Sequence, residues 1–166
     1  MKTVVIYGSM TGTTEAVAQE IAQGFDGATV FSAADVSVRD LQDVDLLILG
    51  ASTWGSGDLQ DDMEAFLSQF AGWDVSVKSG AVFGLGDQFT YSDTFVDGMA
   101  DMSDALKGKG IQVVGASSAA NYGHSASRAQ SGDCFVGLAL DQDNESEKTG
   151  DRIIAWTKTV KELAGE

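Results

Sequence analysis

Short apolar runs of strand character alternate with helical periodicity from one end of this chain to the other, and that alternation narrows the fold further than any other feature. Thr3 to Tyr7, Ala28 to Ser32, Leu46 to Gly50 and Gly80 to Gly84 are near-continuous β-rich runs of the kind buried on both faces. Between them, Val17, Ile21 and Phe25 recur at i, i+4 and i+8, and Met63, Phe66, Leu67 and Phe70 repeat the pattern, so each segment offers one apolar stripe. The stretches from Thr94 to Leu106 and from Thr149 to Leu163 read the same way, the second with Ile153, Trp156, Val160 and Leu163 on one face. A βα series of this kind implies parallel strands, right-handed crossovers and helices on both faces of one sheet. The fifth strand breaks the rhythm. Ile111 to Val114 is strand-like, a polar stretch rich in Ser, Ala and Gly runs from Gly115 to Asp133, and Cys134 to Leu140 is strand-like again. Either there are six strands, or an insertion at about 115–133 divides the fifth. At 166 residues, with no linker or repeat, residues 1–166 are expected to form one domain.

Charge removes whole classes of partner. Ten basic residues against 25 acidic ones give a net charge of −15, which repels a phosphate backbone and leaves no nucleic-acid partner to expect. Anionic membrane surfaces are disfavoured on the same ground, and the apolar runs are too short to span a bilayer. The acidity then serves solubility or steers the chain toward a basic protein. Lys2 leads straight into the first strand-like run with no apolar leader, and the single cysteine, Cys134, has no internal partner, so a cytoplasmic location is expected. Cys134 is expected in the inert core, His124 as a solvated side chain, and the Asp141, Asp143, Glu145, Glu147 series as a solvated turn without the glycine of a calcium loop.

Three loops at the carboxyl ends of strands hold the chemistry. The first, Gly8-Ser9-Met10-Thr11-Gly12-Thr13-Thr14, runs directly into a helix, where free backbone N–H groups and hydroxyls can hold a phosphate. It contains no lysine, which disfavours a nucleoside-triphosphate P-loop, and it lacks the three-glycine dinucleotide fingerprint. Taken alone it could also be a bare cap, with Thr13 or Thr14 as N-cap, though the phosphate reading is the stronger. The second, Gly50-Ala51-Ser52-Thr53-Trp54-Gly55-Ser56-Gly57-Asp58, sets a tryptophan among glycines and hydroxyls; the third, Gly84-Leu85-Gly86-Asp87-Gln88-Phe89-Thr90-Tyr91-Ser92-Asp93, adds an aspartate and a tyrosine. In an open parallel sheet ligands bind outside the strand carboxyl ends, where the strand order reverses. Phosphate donors on one loop and an aromatic on each of the others describe a site for a flat ring system bearing one phosphate.

Four stretches carry a family resemblance, in order and at similar spacing. They are Ser9-Met10-Thr11-Gly12-Thr13-Thr14; Ser52-Thr53-Trp54-Gly55; Phe83-Gly84-Leu85-Gly86-Asp87-Gln88 with Tyr91; and Phe135 to Asn144. Together they resemble the flavodoxins over nearly the whole chain, and the Gly115–Asp133 stretch resembles the insertion of the long-chain class. The resemblance implies a doubly wound five-stranded parallel sheet of order 2-1-3-4-5 with its fifth strand split, one noncovalent FMN, and a monomeric one-electron carrier without a substrate of its own. Rival readings are an FMN-dependent NAD(P)H:quinone reductase of the same fold and a receiver domain; a receiver wants acids after the first strand, where this chain has Gly8-Ser9-Met10. By resemblance, Ser9, Met10, Thr11, Gly12, Thr13 and Thr14 hold the phosphate, and Trp54 and Tyr91 sandwich the isoalloxazine. Asp87 meets its pyrimidine edge, with Ser52, Thr53, Gly55, Gly86 and Asp93 beside it, and Asp143 approaches the ribityl chain. The implied partners are basic redox proteins such as a ferredoxin-NADP reductase, photosystem I or a low-potential oxidoreductase.

Overall fold

In the computed structural model, which describes residues 1–9 and 11–165, the alternation becomes a doubly wound sheet. The chain runs β1 (Thr3–Gly8), α1 (Thr13–Ala22), β2 (Thr29–Ser32), a 3₁₀ turn (Val38–Leu41), β3 (Val44–Trp54), β4 (Asp58–Leu59), α2 (Asp61–Phe70) and β5 (Val77–Leu85). It continues through α3 (Gly98–Gly108), β6 (Gln112–Val113), β7 (Ser117–Ser118), β8 (Gln130–Ser131), β9 (Cys134–Phe135), β10 (Leu138–Leu140) and α4 (Ser146–Ala164). The main strands lie in the order β10-β5-β3-β1-β2 and all of these pairings are parallel.

The fifth position is shared by two short segments. β6 pairs with β5 at Ser79 and Gly80, while β10 pairs with the same strand further along, at Phe83 to Leu85. One strand's worth of edge is therefore filled in two pieces, which settles the alternative in favour of a split strand. Between the pieces, β7, β9 and β8 form a small antiparallel sheet of their own. The strand-like run expected from Cys134 to Leu140 is thus two strands in two sheets: Cys134 and Phe135 belong to the insertion, and only Leu138–Leu140 joins the main sheet.

Side-chain alternation along the central strands feeds two cores. Val4, Ile6, Leu47, Leu49 and Val82 face one side, beneath Phe66 and Phe70 of α2 and Met99, Met102 and Leu106 of α3. Val5, Leu46, Ile48, Ala81 and Phe83 face the other, beneath Val17 and Ile21 of α1 and Ile153, Trp156 and Val160 of α4. Period 2 in the strands and period 3.6 in the helices meet on both faces of one sheet.

Several expectations are corrected. Leu163 is exposed, and the apolar stripe of α4 continues from Val160 to Ala164, which packs against the core instead. The helix expected from Thr94 begins at Gly98: Val96 sits at φ 49, a left-handed conformation costly for a β-branched residue, and that breaks helical geometry at the start. Cys134 is exposed on the small sheet. His124 is no solvated side chain; its ring packs within 5.2 Å of the Phe95 and Phe135 centroids, and Nε2 meets Oε1 of Gln130. Asp141 is fully buried and not part of a solvated turn.

Candidate functional site

The hydroxyl-rich turn after β1 is held by its own short side chains. Ser9 Oγ accepts a hydrogen bond from the Gly12 N–H at 2.9 Å, and Gly12, at φ 87, turns the chain into α1. A left-handed N-cap suits glycine, and having no side chain it leaves the first N–H groups of the helix uncapped. Thr11 and Thr13 bring their hydroxyls within 3.4 Å of each other at this terminus. A helix N-terminus of this kind attracts an anion without a cation being present. Met10 lies outside the described residues.

The loop after the third strand is more regular than its composition suggests. β3 continues through Ser52 and Thr53 to Trp54, then folds back as β4, with Thr53 opposite Leu59 and Trp54 opposite Asp58. Gly55 at φ 49 and Gly57 at φ 101 make the reversal, a pair of conformations that side-chain-bearing residues rarely adopt. Thr53 Oγ1 accepts from the Gly98 N–H at 2.9 Å, anchoring the hairpin to the start of α3. Trp54 remains 44% exposed at the hairpin tip.

In the loop after β5, Asp87 folds the chain over itself. Its Oδ1 accepts from the N–H groups of Phe89 at 3.1 Å and Thr90 at 2.9 Å and from Asn144 Nδ2 at 2.8 Å. The bond from Thr90 above all, with those from Asn144 and Phe89, outweighs partial burial and holds the carboxyl down to about 2. Tyr91, whose N–H donates to the Asp87 carbonyl at 3.0 Å, is left 45% exposed. Asp143 is shifted the other way: burial first, then the neighbouring charges of Asp87 and Asp141, raise its pKa.

These loops enclose one cavity of about 510 Å³, within the range of small-molecule sites. It is lined by Ser9, Thr11, Thr13 and Thr14 at one end, by Ser52, Thr53, Trp54 and Gly55 on one wall, and by Gly86, Asp87, Tyr91 and Asp143 on the other. Two residues named from sequence stand outside it: Gly12 shapes the turn without lining the cavity, and Asp93 is exposed on the far part of its loop. Two lining residues escaped the sequence reading, Leu85 and Gln142. Each is the immediate neighbour of a residue that had been singled out, Gly86 or Asp143, so proximity in sequence was the available signal.

Comparisons with known proteins agree with this layout. The family model described as Flavodoxin matches residues 5–156. A flavodoxin from Picosynechococcus sp. is 40% identical over 164 residues, covering 97% of this chain and 96% of its own. One from Helicobacter pylori is 38% identical over 157 residues, covering 95% and 94%. Among solved structures, the Fusobacterium nucleatum flavodoxin bound to flavin mononucleotide superposes with a TM-score of 0.90 at 28% identity, over 98% of this chain and 99% of that one. With its split-strand sheet and its three loops around one cavity, the chain belongs to the flavodoxin family.

Proposed function

We propose that the cavity binds FMN noncovalently and that the protein carries single electrons between redox proteins. One observation carries this reading: two half-exposed aromatics from separate loops, Trp54 and Tyr91, line a cavity whose other end is a cation-free, uncapped helix N-terminus. Large aromatic faces left partly in water suit a flat ring stacked against them, and the N-terminus of α1 with the hydroxyls of Thr11, Thr13 and Thr14 suits one phosphate. The donor set therefore fits FMN at both ends. When bound, FMN supplies the one-electron redox chemistry that the side chains lack.

The chain's own residues do the rest. Ser9 and Gly12 aim the turn; Thr11, Thr13 and Thr14 with the α1 N–H groups hold the phosphate. Trp54 and Tyr91 cover the ring faces, Asp87 meets the pyrimidine edge with Ser52, Thr53, Gly55 and Gly86 around it, and Asp143 and Gln142 lie by the ribityl chain. Among the described residues no helix is long and apolar enough to cross a membrane. We place the protein in the cytoplasm, with basic redox proteins as its partners: a ferredoxin-NADP reductase, photosystem I or a low-potential oxidoreductase. A net charge of −15 supports such partners, since it steers basic surfaces toward the molecule. The test is the absorbance of the purified protein followed by reductive titration. A yellow protein reduced in two one-electron steps, without turnover of NAD(P)H and quinone, is the expected result; a colourless protein that takes up no FMN overturns the reading.

A further inference from the structure

The insertion contributes no residue to the lining of the cavity, yet it is bonded at three points, Gln88, Ser92 and Asp97, to the stretch that follows β5 and carries Asp87 and Tyr91. The Gly123 N–H donates to Gln88 Oε1 at 2.6 Å, the N–H groups of Ser125 and Ala126 donate to the Ser92 carbonyl at 2.7 and 3.0 Å, and the Arg128 N–H donates to Asp97 Oδ1 at 2.8 Å. Of these junctions only the one at Gln88 continues toward the cavity. Gln88 is 1% exposed and its side-chain amide is used at both ends. While Oε1 takes the bond from the insertion, Nε2 donates to Asp141 Oδ2 at 2.8 Å and to Glu145 Oε1 at 2.7 Å. The Gln88 backbone N–H donates to the same Asp141 oxygen at 3.1 Å. Asp141 in turn accepts from Asn144, through its N–H at 3.0 Å and its Nδ2 at 2.9 Å, and that same Nδ2 donates to Asp87 Oδ1 at 2.8 Å.

An amide is the side chain this place requires. It must donate two hydrogen bonds to two carboxylates and accept one from a backbone N–H; a carboxylate donates none and an apolar chain does neither. Leaving such groups buried without partners is costly, so the arrangement holds as a unit.

We propose that Gln88 is a positioning residue, which, with Asn144, ties the insertion and the start of α4 to the Asp87 loop and so fixes how the Asp87 carboxylate is presented to the ring of the bound cofactor. Asn144 loads Oδ1, together with the Phe89 and Thr90 N–H groups, and the carboxyl group is thereby held in one orientation at the cavity wall. The insertion is by this route a structural part of the ring end of the site, while the phosphate end is built without it. This rests on the FMN reading above.

The experiment compares Gln88→Leu and Asn144→Ala with the unaltered protein. Because Asn144 is exposed, its variant folds even if the loss of Gln88 is too disruptive. Three quantities are read: dissociation constants for FMN and for riboflavin, the potential of the second one-electron step, and hydrogen exchange at the Phe89 and Thr90 amides in the flavin-free protein. Both variants should bind FMN and riboflavin less tightly by the same factor, about tenfold for Gln88→Leu, since the loss is at the ring and not at the phosphate. The second potential should rise, because a carboxylate no longer held at the ring opposes the charge of the reduced cofactor less. Exchange at Phe89 and Thr90 should quicken at least tenfold. Quickened exchange with unchanged riboflavin affinity and potential would mean that the network only stabilises the fold, and the proposal fails; so does unchanged exchange. Failure of the unaltered protein to bind any flavin is a separate result, which overturns the functional reading itself, while the exchange arm still reports whether the network holds Asp87.

Discussion

The two ends of the cavity are built on opposite principles. At the end we assign to the phosphate, the lining residues Ser9, Thr11, Thr13 and Thr14 lie within six positions of one another: the turn, the helix terminus and the hydroxyls are local, and none of these side chains is charged. At the end we assign to the ring, the bonds from Phe89, Thr90 and Tyr91 to Asp87 are local, but the parts they serve come from separate stretches of chain. Trp54 comes from a hairpin after β3 and Tyr91 from a turn after β5, while Asp87 is oriented by Asn144, 57 residues away. One end depends on backbone geometry, which a single glycine controls; the other depends on side chains far apart in sequence, which the fold must bring together. Substitutions at the two ends should therefore separate cleanly when FMN and riboflavin, which differ only in the phosphate, are compared.

Gly12→Val gives the largest expected difference. Holding φ near 87 with a β-branched residue costs about 2 kcal/mol, so the turn shifts and the N–H groups lose their aim. FMN should bind about thirtyfold less tightly while riboflavin is nearly unaffected; isothermal titration with both ligands checks this, and equal losses would erase the distinction between the ends. Trp54→Ala should do the reverse. Loss of one stacking face is worth about 1.5 kcal/mol, by analogy with base–aromatic stacking, and it should weaken FMN and riboflavin alike, by about tenfold each. A selective loss of FMN would place Trp54 at the wrong end of the cavity.

The same contrast explains what could be read from the sequence. The turn into α1 was legible because its signal, hydroxyls and glycine running into a helix, is contained in one short stretch. Hydrophobic periodicity, which is also local, marks the alternating strands and helices but leaves six strands or a divided fifth open; the sheet order and the split follow from the resemblance to the flavodoxins. What escaped needed tertiary information. Asp141 reads as one more acid in a charged run, yet it is buried, with Gln88 approaching it from another loop. His124 is drawn against Phe95 and Phe135 by the curl of the insertion, and Cys134 faces outward because in β9 it alternates with the buried Phe135. Asp93 lies two residues beyond Tyr91, and neither spacing nor composition tells which side of that turn faces the cavity.

Acid sharpens the comparison further, because only the ring end is held by carboxylates. Glu145 is brought from 4.5 to about 2, first by Lys148 and then by Gln88 and Arg152, against a raising contribution from burial. Its folded pKa is depressed, so its contribution to stability is present above pH 4.5 and is lost as the pH falls from about 4.5 to about 2. Allowing for solvent screening of an ion pair near the surface, that contribution is about 1 kcal/mol. Urea unfolding of the flavin-free protein at pH 7 and at pH 3 should show a smaller acid loss in Glu145→Gln than in the unaltered chain. An identical loss would show that Glu145 carries no pH-dependent stability.

The smallest expected effect concerns charge that touches neither end. Asp93 is exposed on the Tyr91 loop, Asp61 and Asp62 open α2, and Asp58, Glu64, Asp101 and Asp104 line a groove beside the Trp54 hairpin together with Arg128, which pairs with Asp97 and Asp101. From Asp58 to Asp104 the only basic residue is Lys78, and it is paired with Asp45 at 3.0 Å. An exposed carboxylate about 10 Å from a negatively charged reduced cofactor costs about 0.4 kcal/mol in a water-like dielectric, which is under about 20 mV for one electron, and salt reduces it again. Neutralising Asp61, Asp62 and Asp93 together as asparagines should therefore raise the second one-electron potential by no more than a few tens of millivolts. The effect on encounter should be easier to see, since rates respond to the whole field and not to one pair. Stopped-flow association with a basic redox partner should slow severalfold at low salt and converge with the unaltered protein as ionic strength rises. If the triple variant keeps the same rate and the same salt dependence, the acidity serves solubility alone, and recognition of the partner must come from the exposed edges of Trp54 and Tyr91 instead.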